Sequence, residues 1–209
     1  MYKSILTVVV LVTVPMITAA ADLKGDPAAG QSKSAICTAC HGEAGNSVNP
    51  EWPKIAGQGT RYIIAQLKAF KQGPAGPRHS QNSALMYGIA AGLSEQDMAD
   101  LAAYYSQQQT SPGVADDELA KKGEAIYRGG EARLDAAACI GCHGPSGKGN
   151  APAGFPAIGG QHAQYTYNQL QAFHQALRTG DVNMAMQHMV RNMSEDEMRA
   201  VAEYVQGLH

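Results

Sequence analysis

The sequence predicts an all-α chain built as two tandem domains. Three observations carry that reading: a heptapeptide that recurs about a hundred residues on, apolar positions at helical spacing in both copies, and no convincing run of period two. Trp52-Pro53-Lys54-Ile55-Ala56-Gly57-Gln58 returns 103 positions later as Phe155-Pro156-Ala157-Ile158-Gly159-Gly160-Gln161. At the same offset Tyr62, Gln66, Leu67 and Phe70 return as Tyr165, Gln169, Leu170 and Phe173. Leu85-Met86 with Leu93-Ser94-Glu95 is echoed by Ala185-Met186 with Met193-Ser194-Glu195, and Tyr104 by Tyr204. Thr110-Ser111-Pro112-Gly113 stops a helix and offers nothing to a core. The division is therefore residues 22–110, a linker at 111–116, and residues 117–209.

In chain order, Lys3 gives a basic start, Ile5 to Ile17 is mostly apolar, and Ala19-Ala20-Ala21 supplies small residues for cleavage. Residues 1–21 read as an export signal peptide. The apolar run is shorter than the roughly 20 residues that cross a bilayer as a helix; retention as an uncleaved anchor is the alternative. A helix is expected from about Ala28 to Ile36, and another at Glu118 to Tyr127, followed by an insertion from Arg128 to Ala138. Tyr62, Ile63, Leu67 and Phe70 mark a middle helix in the first half; Tyr165, Leu170, Phe173 and Leu177 mark its counterpart. Ser94 and Ser194 are expected N-caps of the last helices, with Asp97 and Glu197 three residues on completing capping boxes.

All four cysteines lie in two Cys-x-x-Cys-His pentapeptides, Cys37 to His41 and Cys139 to His143. Two thiols can add to the vinyl groups of one haem while the adjacent imidazole faces the iron, so the pattern predicts two covalent c-type haems. A zinc ribbon would place its second pair roughly 15–20 residues after the first, whereas Cys40 and Cys139 are 99 positions apart. Thioredoxin-like pairs or disulfides leave both histidines unexplained. A covalent macrocycle also supplies the apolar bulk that a chain with 6% aromatic residues lacks.

Histidine and methionine on opposite faces keep an iron six-coordinate, and the thioether raises its potential. Residues 22–110 offer Met86 and Met98. Met98 falls on the apolar face of the capped last helix, where methionine is commonly core filler, and Met86 falls in an irregular segment before it, which favours Met86. The second half offers Met184, Met186, Met189, Met193 and Met198; Met186 stands eight positions before Ser194 as Met86 does before Ser94. Met186 is favoured, with Met184 next and His188 a distant alternative. His79, His162, His174 and His209 have no counterpart in the other half and read as surface residues.

Two Cys-x-x-Cys-His domains, each with Pro-x-Ile-x-Gly and a Met before a capped final helix, resemble the dihaem cytochromes c of the cytochrome c-four family. The resemblance covers nearly all of the chain beyond residue 21. It implies two tandem class I cytochrome c domains, each wrapped around one covalent haem, with the haem edges near each other, in a bacterial periplasm. It also implies that the carbonyls of Pro53 and Pro156 accept Nδ1–H of His41 and His143, fixing each ring and raising its basicity.

If both irons are saturated by His41 with Met86 and His143 with Met186, no position is open to substrate, and the expected role is electron carriage without catalysis. The resemblance suggests a quinol–cytochrome c oxidoreductase or a dehydrogenase as donor and a terminal oxidase as acceptor; peripheral membrane association is compatible with such partners. The alternatives are a haem subunit of a larger dehydrogenase, such as a flavocytochrome, and a dihaem peroxidase. Residues 22–110 carry seven basic and seven acidic side chains, residues 117–209 eight and ten. Nothing in that balance suggests nucleic acid.

Overall fold

The computed structural model describes residues 23–80, 83–131, 133 and 136–209. The expected signal peptide lies outside the described residues. Among those residues the chain is helical, with isolated β-bridges and no strand. None of the helices found there is long and apolar enough to cross a membrane.

The first half begins with α1, Pro27–Lys33, and α2, Ala35–His41. Pro27 stands in the first turn, and the Asp26 carboxylate accepts the N–H groups of Ala28 and Ala29, satisfying donors that no helical carbonyl reaches. The helix expected from Ala28 to Ile36 is thus divided. At Ser34 the hydroxyl donates to the Gln31 carbonyl at 2.7 Å, a local bond that competes with the helical ladder. The rest of the half is α3, Thr60–Lys71, then α4, Ser83–Ala91, and α5, Glu95–Ser106.

The second half repeats this order with α6, Asp117–Gly129; α7, Ile140–His143; α8, Ala163–His174; α9, Ala185–Val190; and α10, Glu195–Gly207. Both capping boxes form, Ser94 with Asp97 and Ser194 with Glu197. Leu177, expected on the middle helix, falls beyond its end and is 46% exposed, because the chain turns at Ala176 with φ 53°. In the insertion, Gly130 turns at φ 69° and Glu131 pairs with Ala136 in a short bridge.

Each half is held by the crossing of its first and last helices, α1 on α5 and α6 on α10. A Cβ on Gly30 would lie 2.0 Å from the Asp100 carbonyl oxygen, and one on Gly123 2.0 Å from that of Ala200. Only glycine permits this approach. Apolar residues beneath the crossings form one core per half. Ile63, Leu101, Ala102 and Tyr105 are buried in the first; Tyr127, Leu170, Phe173, Val201 and Val205 are among those in the second.

The halves meet through a nearly two-fold seam. The Gln161 amide bonds both backbone groups of Lys54, accepting N–H at 2.9 Å and donating to the carbonyl at 2.8 Å. Gln58 treats Ala157 the same way, at 2.9 Å in each direction. Lys54 Nζ adds bonds to the carbonyls of Ser111 and Gly160 at 2.8 and 2.9 Å. Further along, Arg78 and Arg178 face each other in an antiparallel bridge.

Candidate functional site

The Cys-x-x-Cys-His segments sit where α2 and α7 end. Cys37 and Cys40 lie on α2, Cys139 caps α7, Cys142 lies within it, and no disulfide joins any of the four. Gly42 and Gly144 follow the histidines with φ of 76° and 78°, a left-handed turn that ends each helix. Before haem attachment, burial pushes the Cys37 thiol pKa up and that of Cys139 up to about 11.

His41 and His143 are buried at 9% and 7% exposure. The Pro53 carbonyl lies 2.8 Å from Nδ1 of His41, and the Pro156 carbonyl 3.0 Å from Nδ1 of His143. A carbonyl can only accept, so each Nδ1 carries the hydrogen and each Nε2 keeps its lone pair. Burial lowers both imidazole pKa values more than the carbonyl bonds raise them. The neutral, metal-binding form is favoured.

Met86 lies within α4 and is half-buried; the irregular segment expected around it is helical. Met98 is 1% exposed on α5. Met186, on α9, packs against the second core along with Cys139 and Ile140. Met184 caps α9 in a left-handed conformation with 52% exposure, and His188 is exposed. Met193 and Met198 belong to the core, and Met189 packs on it.

Two buried arginines test the fit of a haem. Arg78 and Arg178 are 4% and 7% exposed, and no ion pair to either is found among the described residues. Arg78 Nη2 donates to Tyr165 at 3.0 Å, whereas its Nε and Nη1 are buried without a partner. Arg178 donates to Tyr62 at 2.6 Å and to Gln169 at 2.9 Å. Burial and then Arg178 depress the Arg78 pKa, marking an uncompensated positive site. A haem brings two carboxylates, so the macrocycle's acidic edge fits the charge and the unpaired donors here.

Sequence reasoning missed these arginines, although Arg178 repeats Arg78 at the offset of 100 that relates Met86 to Met186. It also placed the half-buried His79 and His162 too simply at the surface, whereas His174 is exposed as expected yet still bonded. His162 Nε2 reaches the Ser47 carbonyl across the seam at 2.8 Å, His174 Nδ1 that of Val190 at 2.9 Å, and His79 Nδ1 the Tyr87 hydroxyl at 3.1 Å.

The cytochrome c family profile matches residues 28–109 and 120–209, one match per half. Cytochrome c4 of Azotobacter vinelandii is 46% identical over 197 residues, covering 92% of this chain and 94% of that protein. The chain belongs to the cytochrome c4 family. The crystal structure of reduced recombinant cytochrome c4 from Pseudomonas stutzeri superposes with a TM-score of 0.84 at 47% identity, covering 88% of this chain and all of that one. A more distant relative, the thiosulfate dehydrogenase electron acceptor of Stutzerimonas stutzeri strain A1501, is 36% identical over 174 residues, covering 80% of this chain and 76% of its own. As a cytochrome c4, the chain is a dihaem electron-transfer protein carrying two covalently attached haems c.

Proposed function

We propose that this is a periplasmic carrier whose two haem units, residues 22–110 and 117–209, exchange single electrons with separate partner proteins and perform no catalysis. The observation that carries the reading is the paired geometry of His41 and His143, buried, neutral, and turned by Pro53 and Pro156 so that Nε2 is free. Cys37 and Cys40 hold one haem and Cys139 and Cys142 the other; Met86 and Met186 complete the iron coordination. Bound haem supplies a one-electron ferric–ferrous couple. The chain's residues fix the imidazoles, exclude water from them, and offer Arg78 and Arg178 to the acidic edges.

The donor is a quinol–cytochrome c oxidoreductase or a dehydrogenase and the acceptor a terminal oxidase. Residues 1–21 direct export to the periplasm. Stopped-flow mixing of reduced holoprotein with oxidase-containing membranes tests the assignment; rapid oxidation of both haems is expected, and inertness would overturn it. The relative named as a thiosulfate dehydrogenase electron acceptor favours a second reading, in which a sulfur-oxidising dehydrogenase is the donor. Reduction by such an enzyme with thiosulfate, but not by a quinol oxidoreductase, would establish it.

A further inference from the structure

We propose that Gln58 and Gln161 are crossed positioning residues, each tuning from one half the iron-binding histidine of the other. The inference rests on His41 and His143 being the iron ligands. The Lys54 nitrogen and the Pro53 carbonyl belong to one peptide group. Its N–H donates to Gln161 Oε1 at 2.9 Å, and its oxygen receives Nδ1–H of His41 at 2.8 Å. In the other direction, the Ala157 N–H donates to Gln58 Oε1 at 2.9 Å, and the Pro156 carbonyl of that peptide receives Nδ1–H of His143 at 3.0 Å. Two three-part chains therefore run across the seam in opposite senses, each glutamine to peptide to imidazole.

The amide orientations are fixed by their partners. Gln161 Oε1 also accepts the His162 N–H at 3.1 Å and Gln58 Oε1 the Gly59 N–H at 2.9 Å, while each Nε2 donates to a carbonyl of the opposite half. A flipped amide would set its NH2 against two N–H donors. Gln58 and Gln161 are each 8% exposed and Lys54 7%, so water does not compete for these bonds. Hydrogen bonds in such a low-dielectric chain polarise one another. An acceptor on the peptide N–H shifts amide electron density onto the carbonyl oxygen, which then draws harder on Nδ1–H. The imidazole becomes a more basic ligand and favours the ferric over the ferrous ion. Each glutamine thus lowers the reduction potential of the haem in the opposite half.

The test uses full-length holoprotein, with the two haems resolved by NMR during redox titration. Gln161→Met keeps the side-chain shape and removes the amide. It should raise the midpoint potential of the first-half haem alone and alter the Nδ1 resonance of His41 but not of His143. Gln58→Met should act on the second-half haem and His143. Gln161→Asn, which retracts the amide while staying polar, should reproduce the Gln161→Met shift if that variant folds poorly. His162→Ala removes another seam bond outside either chain and should produce no such one-sided change. Equal displacement of both haems in each variant would show that the glutamines only dock the halves and would overturn the relay, as would no displacement. Absence of any haem-induced shift at Nδ1 of His41 and His143 in ferric wild-type protein would instead overturn the ligand assignment, and the relay with it.

Discussion

At the residue scale, the methionines carry the sharpest consequence. Met86 and Met186 occupy equivalent helices, α4 and α9. Replacing either by alanine should remove about half of the weak near-infrared sulfur-to-iron band and lower one haem's potential, since the thioether is the ligand that raises it. The other haem should keep its titration. A spectrum unchanged by Met86→Ala would transfer the role to Met98, and an effect of Met184→Ala without one from Met186→Ala would shift the register by two. The pentapeptides and the capping serines were legible because each is a local pattern, readable from a few neighbouring positions. Gln58, Gln161, Arg78 and Arg178 were not, because what they do depends on residues about a hundred positions away.

Among the elements, the glycine crossings and the capped last helices set stability. Gly123→Ala forces a methyl against the Ala200 carbonyl, and overpacking of this kind costs typically about 1–3 kcal/mol; the urea midpoint should fall accordingly. Ser194→Ala removes a cap worth about 1 kcal/mol, readable in the same titration. The α1–α5 crossing also carries a pH response. The Asp100 carboxyl is held below its ordinary range by the Asp26 N–H first, then by Lys33 and Gln96. A depressed carboxyl contributes stability that is fully present above its unfolded pKa of roughly 3.9, and that is lost as pH falls through the lower folded value. Unfolding followed by circular dichroism should therefore begin below about pH 4, and Lys33→Met should move its onset to higher pH. The helices α3, α5, α6, α8 and α10 were legible in the apolar spacing and the capping signals, whereas α4 and α9, the break at Ser34 and the turn at Ala176 were not. The Ser34 break turns on which of two competing local hydrogen bonds forms, and the others on where the chain must go next.

For the whole molecule, the coordination proposed above, His41 with Met86 and His143 with Met186, predicts indifference to small ligands. Reduced native protein should bind carbon monoxide slowly and oxidised protein should turn over peroxide negligibly, because each must displace a thioether held by α4 or α9. Rapid carbon monoxide binding by one haem together with peroxide turnover would establish a catalytic role instead. The seam has a further consequence. Its bonds join two halves whose connection, the stretch between α5 and α6, is short and itself anchored, with Thr110 Oγ1 bonded to the Ala56 carbonyl at 2.6 Å and the Ser111 N–H to Asn46 Oδ1 at 2.7 Å. Tethering of this kind gives the two faces an effective concentration in the millimolar range. Surfaces too weak to hold two separate chains together at cellular abundance stay closed here, so the spacing between the two redox centres is independent of dilution.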